Sequence, residues 1–199
     1  MCNPLVSQSR SAGGKFITLT FSNEQLSKLN REVPALKTIT KHVDGKPVDR
    51  EVKLVGYTRD NAIATLAVRR FLERWRKEYK KSLRHWLVTE LGSNGTENIH
   101  LHGIVWNDTH ENWVEFMNKV EQVWQYGYVW KWKTHNGKPV NYVTEQTVNY
   151  IIKYCHKVDQ KHQAYKPIML VSPGIGRDYM TGHNVKNNKF KGTETDFRS

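Results

Sequence analysis

The chain has 199 residues, enough for one domain with a core of its own. Hydrophobic residues make up 38% and charged residues 25%, which excludes a disordered chain. Lys and Arg outnumber Asp and Glu by 31 to 19, a net charge of +12, and such an excess points to a polyanionic partner, most often nucleic acid.

No apolar run approaches the ~20 residues that cross a bilayer, and "MCNPLVSQSR" at the start has no signal-peptide core, so no membrane partner and no export are expected. The two cysteines, Cys2 and Cys155, are too few for a disulfide framework or a four-cysteine zinc site. A reducing, intracellular compartment fits them. The seven tryptophans serve either as core or as stacking surfaces for unpaired bases.

Residues 1–15 read as an N-terminal arm ending in "SAGGK". "FITLTF" (16–21) is apolar and β-branched, a central strand. "SNEQLSKLNREV" forms a short helix or a loop. "KTITKHV" and "DREVKLVGY" flank "DGKP", a hairpin around an Asp-Gly turn. "DNAIATLAVRRFLERWRKEYKKSLR" is a helix with Asp60 or Asn61 as cap and an apolar stripe through Ile63, Leu66, Ala67, Phe71 and Trp75. Its second half is basic. Arg69, Arg70, Arg74, Arg76 and Lys77 are candidates for contact with the DNA backbone, or else form a solvated helix face.

"HWLVTELG" and "NIHLHGIVW" are two strands joined through "SNGTE", an antiparallel hairpin. "HENWVEFMNKVEQVW" is a second amphipathic helix, "YGYVWKWK" a further strand and "HNGK" a further turn. "TEQTVNYIIKYCHKV" is the third helix, capped by Thr144 or Thr147. Residues 181–199 form a polar tail. The order of elements predicts an α+β fold, one antiparallel sheet covered by helices on a face.

Two clusters carry chemistry. In "IHLHG" the strand period of two turns His100 and His102 to the same side and Leu101 to the other. Such a pair makes either two nitrogen ligands for a divalent ion or a half-buried strand face. Counting by twos places Trp86, Val88 and Glu90 on one face of the preceding strand, and Glu90 completes a three-ligand site if that face matches. Glu97 in the turn is the rival ligand. In "VNYIIKYCHK", Tyr150 and Tyr154 fall ~40° apart around a helix. Aromatic pairs at this spacing usually pack. As nucleophiles they would need help, because a phenol ordinarily titrates near 10. Lys153 and Lys157, one turn apart, could supply it by stabilising phenolate and phosphate charge. Ile151 and Ile152 can anchor the helix to the sheet. Cys155 and His156 diverge by ~100° and cannot readily join the histidine pair on one ion.

Taken together, "FITLTF", "HLHGIVW", "YIIKYCHK" and "SPGIGRDYM" (172–180) resemble, in that order, the motifs of HUH endonucleases of the rolling-circle replication initiator (Rep) type. The nearest likeness is to the initiators of microviruses, small single-stranded-DNA phages. Each segment alone is weak; the ordered set, spread over 16–180, is specific. The resemblance implies an HUH endonuclease domain at 16–180, with a central antiparallel β-sheet like that of RNA-recognition motifs. It implies a Mg²⁺ or Mn²⁺ site built from His100, His102 and Glu90, and Tyr150 and Tyr154 as nucleophiles that nick and rejoin a single-stranded origin, exposed as a hairpin or a free strand. A 5′-phosphotyrosine and a free 3′-OH follow, the latter extended by a host DNA polymerase with a host helicase, in the cytoplasm of a bacterial host. The related phage proteins are often longer than this chain, which leaves room for a further C-terminal part. No Walker A motif is present, so no helicase domain is expected. A single-strand transposase or a relaxase shares the chemistry, and a non-catalytic single-strand-binding module shares the composition.

Overall fold

The computed structural model describes residues 13–92, 97–109, 112–156 and 162–175; of the side chains of Glu145, Tyr154, Cys155 and His156 nothing is said. Lys157 and residues 176–180 of the "SPGIGRDYM" segment lie outside the described residues.

Strands β1 (Gly14–Leu19), β4 (Arg84–Leu91), β5 (Ile99–Trp106), β6 (Val129–Trp130) and β9 (Met169–Val171) form a five-stranded sheet in the order β6-β1-β5-β4-β9. Every pairing in it is antiparallel. The other strands make two separate ribbons: β2 (Leu36–Val43) with β3 (Lys46–Lys53), and β7 (Lys133–His135) with β8 (Lys138–Val140). Each ribbon turns on residues with positive φ, Asp44-Gly45 and Asn136-Gly137, the two-residue turns whose twist matches paired strands. Among the described residues the helices are α1 (Asn23–Glu32), α2 (Gly56–Tyr79), α3 (Trp113–Trp124) and α4 (Glu145–His156).

The α+β expectation holds, with one change of layering. Odd-numbered residues of β1, β4 and β5 (Ile17, Leu19, Leu87, Leu101, Val105) join the main core with Phe71 and Trp75 of α2 and Phe116, Val120 and Trp124 of α3. Even-numbered residues of the same strands face α4 instead: Val88, Ile104 and Ile151 form a second, smaller cluster. The sheet is therefore flanked by helices on both faces rather than covered on one.

Several boundaries differ from the sequence reading for local reasons. β1 begins at Gly14, so the last residues of the expected arm are sheet residues. The long helix starts at Gly56, a turn before Asp60, because Thr58 Oγ1 receives the Val55 N–H at 3.1 Å and returns a bond to its carbonyl at 2.7 Å. Asn61, released from capping, ties α2 to the sheet instead. Its Oδ1 accepts from Thr89 Oγ1 at 3.0 Å, and its Nδ2 donates to the Lys166 carbonyl at 2.9 Å. "YGYVWKWK" is not one strand, since only Val129–Trp130 pairs with β1. Thr144 does cap α4, its Oγ1 accepting from Thr147 N at 3.3 Å.

"SPGI" is a turn that closes the far edge of the sheet. Pro173 and the positive φ of Gly174 suit the two central positions, and Ile175 N bonds the Ser172 carbonyl at 3.4 Å. Ser172 Oγ accepts from His85 N at 2.9 Å, fastening the turn to β4.

Gly103, in the middle of β5, is required by close approach. A Cβ there would stand 2.0 Å from the Trp86 carbonyl oxygen and 2.8 Å from Leu87 Cα. An alanine ordinarily stabilises by about 0.4–1 kcal/mol by restricting the unfolded chain; here the clash with backbone outweighs it. Gly103→Ala is expected to lose about 2–3 kcal/mol net in urea unfolding, and an unchanged midpoint would contradict the close packing.

Candidate metal centre and tyrosine site

The register of the sheet builds a three-residue cluster. Glu90 lies directly opposite His100, and His102 lies between Val88 of β4 and Thr18 of β1. Strand alternation turns all of these to the α4 face. Both imidazoles aim Nε2 at one carboxylate oxygen: Glu90 Oε2 is 2.8 Å from His102 and 3.2 Å from His100. One ligand atom from each residue falls within 4.8 Å of the others. The two rings stand nearly perpendicular, 4.8 Å apart.

The outer nitrogens fix this orientation. His100 Nδ1 sits 3.2 Å from the Asn98 carbonyl, which can only accept, so Nδ1 carries the proton and Nε2 is left with its lone pair. His102 Nδ1 meets Thr18 Oγ1 at 2.9 Å. Partners of this kind hold metal-ligating histidines in other proteins. Burial opposes ionisation of Glu90, but hydrogen bonds and charge from His100 and His102 outweigh it and hold the carboxyl down at about 2. A carboxylate facing two imidazole lone pairs is three acceptors converging, an arrangement that needs a proton or a cation between them. The nitrogen and oxygen donors fit a divalent ion. Glu97, the rival ligand, is not in the cluster; it pairs with His162 Nε2 at 3.1 Å.

Helix α4 brings Tyr150 alongside. Ile151 is fully buried against Val88 and Ile104 and pins the helix to the sheet. Ile152, the other expected anchor, is 40% exposed and holds nothing. One residue turns ~100° around the helix, enough to move it off the sheet. Tyr150, 45% exposed, places its ring 6.1 Å from that of His102 and 5.9 Å from that of Phe16, edge-on to both. Tyr154 lies one turn further along the same helix, with its side chain outside the described residues, and Lys153 is exposed.

Beside Tyr150 opens a groove of about 600 Å³, lined by Phe16, Trp130, Lys133, Asn141 and Tyr142. Of the tryptophans, Trp75 and Trp124 are buried in the core, while Trp130 faces this groove. Asn141 holds the segment leading to α4. Its Oδ1 accepts from Phe16 N at 2.9 Å, and its Nδ2 donates to the carbonyls of Phe16 at 2.7 Å and Lys131 at 2.6 Å. Thr18 and Asn141 escape sequence reasoning, because only the three-dimensional register gives either a reason to be there.

The basic residues of α2 lie on the helix layer across the sheet from this cluster. Arg74 is structural: it donates to the carbonyls of Val123 at 3.0 Å and Trp124 at 2.8 Å, closing the end of α3. Arg70 pairs with Glu32 and Arg69 with Glu73. Arg76 bonds Ser82 Oγ at 3.1 Å, and Lys77 is exposed.

A family model for the replication-associated protein ORF2 matches residues 55–159. The chain belongs to this family. No curated protein and no solved structure matches it. The matched segment of this replication-associated protein contains Glu90, His100, His102 and Tyr150; β1, with Phe16 and Thr18, precedes it. Membership agrees with a replication-initiator role and with DNA as a partner. No helix among the described residues is long and apolar enough to cross a membrane.

Two outcomes follow. Saturating Mn²⁺ should raise the melting temperature of the wild type by several degrees, since a ligand at about 100 times its Kd contributes about 2.7 kcal/mol. In His100→Ala and Glu90→Gln the rise should largely vanish; a full rise in both would remove the cluster as the binding site. Ile151→Ala should cost about 2–4 kcal/mol, and speed amide exchange in α4 more than in α2. Equal exchange in the two helices would show that α4 is held by something else.

Proposed function

We propose that the chain is an HUH-type replication initiator that nicks and rejoins single-stranded origin DNA through a tyrosine, as microvirus initiators do. The observation that carries the reading is the juxtaposition of Tyr150 with the Glu90, His100 and His102 cluster on one face of the sheet. A divalent ion held by these three residues, Mg²⁺ or Mn²⁺, would polarise the scissile phosphate.

The chain's own residues do the rest. Tyr150 opens the cycle, because its ring is the one that meets His102. Its phenolic oxygen loses a proton and attacks phosphorus. The bond to the 3′ oxygen breaks, and that oxygen leaves with the electron pair and takes up a proton. A 5′-phosphotyrosine and a free 3′-OH result, the latter a primer for a host polymerase. One phosphodiester is exchanged for another, so rejoining needs no ATP. Tyr154, one helical turn away, serves the second cleavage. The released 3′-OH then attacks the first phosphotyrosine and closes the circle. Lys153 and Lys157 neutralise phosphate and phenolate charge. The groove beside Tyr150 offers aromatic faces and Lys133 to the strand entering the site.

Incubation with a labelled single-stranded origin oligonucleotide and Mn²⁺ should give a covalent adduct that survives denaturation. Tyr150→Phe with Tyr154→Phe should abolish it, and chelation should suppress it. An adduct persisting in the double variant would sink the assignment. Unimpaired binding without any adduct would favour a single-strand-binding module using the same groove.

A further inference from the structure

The β2–β3 ribbon has no part in that chemistry. It pairs only with itself and precedes the segment that matches the family. Its register sorts charge by face. The cross-strand pairs Lys37–Val52, Ile39–Arg50, Lys41–Val48 and Val43–Lys46 alternate with Leu36–Lys53, Thr38–Glu51, Thr40–Asp49 and His42–Pro47. Alternate pairs project to opposite faces.

One face therefore carries Lys37, Lys41, Lys46 and Arg50 among four aliphatic side chains, with no carboxylate. The other carries both acids of the strands, Asp49 and Glu51, and one cation, Lys53. Asp44, the remaining acid, sits in the turn at the tip. Like charges gathered on one side of a ribbon repel, and alternating signs would stabilise it better. A hairpin serving only its own stability has no reason for this sorting. Near the tip the basic face also exposes Val43 (54%) and Val48 (47%).

We propose that the basic face of the β2–β3 ribbon docks on duplex DNA beside the nicking site. A two-stranded ribbon fits the major groove, which is about 12 Å wide, and eight residues per strand reach about 26 Å. The four cations meet phosphates, and the valines suit thymine methyl groups and sugars. The placement beside a nick rests on the function proposed above; the duplex binding does not.

The test replaces Lys37, Lys41, Lys46 and Arg50 with Gln in the full chain, with Lys53→Gln as the control from the opposite face. Affinity for a short duplex is followed by fluorescence anisotropy from about 50 to 200 mM salt, where each lost phosphate contact lowers the slope by about 0.9. The proposal expects the fourfold variant to bind duplex at least about tenfold more weakly at the higher salt, with a slope smaller by about 2–4, and the control to stay near wild type. Wild-type duplex affinity and slope in the fourfold variant would overturn it. So would an undiminished duplex affinity accompanied by lost binding to phosphatidylglycerol vesicles, which would make the face a lipid contact. Circular dichroism and adduct formation on single-stranded oligonucleotide, run in parallel, separate the two readings. An intact adduct with weakened duplex binding supports both, whereas absence of adduct even in the wild type removes the nicking function and leaves the ribbon's duplex contact standing. Should the fourfold variant fail to fold, Lys41→Gln with Lys46→Gln is measured the same way and expected to lose about half of the slope change.

Discussion

The period of two along β5 is the constraint on which the rest depends. Ile99, Leu101 and Val105 must enter the main core, which leaves His100, His102 and Ile104 to face the other way. A slip of one residue against β4 or β1 would send both imidazoles into the apolar core and expose the leucine. The apolar core therefore enforces the register that makes Glu90, His100 and His102 converge, and the site is held in place by residues that never touch it. Gly103 belongs to the same constraint, letting β5 lie against β4 where no side chain fits.

The two faces are held with unequal strength. Around α1, α2 and α3 the core is broad and aromatic, whereas α4 rests on a cluster of three buried side chains with a few partly buried neighbours. Burial of Ile151 contributes about 2–3 kcal/mol, a large share of what docks the helix. Segments with few buried apolar contacts open at low free-energy cost. The tyrosine helix is thus the element best able to shift against the sheet while the metal ligands stay fixed on their strands.

Much of this was legible in the residues. The Asp-Gly and Asn-Gly pairs marked their turns, the α2 and α3 stripes pointed to the core, and counting by twos singled out Glu90. Periodicity speaks only for a residue's own element, and the misreadings fall where a distant partner decides. Thr58 moved a helix start by receiving its own cap's N–H. Arg74 sits in a basic run yet spends its donors on the end of another helix. Ile151 and Ile152 look equivalent in sequence, but only one turns toward the sheet. Thr18 and Asn141 gave no signal, because a single polar residue acquires a role only from the register around it.

Asn141 has a consequence for how the molecule meets other chains. β6 covers only Thr18 and Leu19 of β1, so the first half of β1 would otherwise offer bare backbone at a sheet edge. The Asn141 amide takes both the N–H and the carbonyl of Phe16, as a neighbouring strand would. Exposed edges recruit strands from other molecules and seed aggregation. Here one side chain closes the edge without adding a strand, and the Phe16 ring stays free to line the groove beside Tyr150.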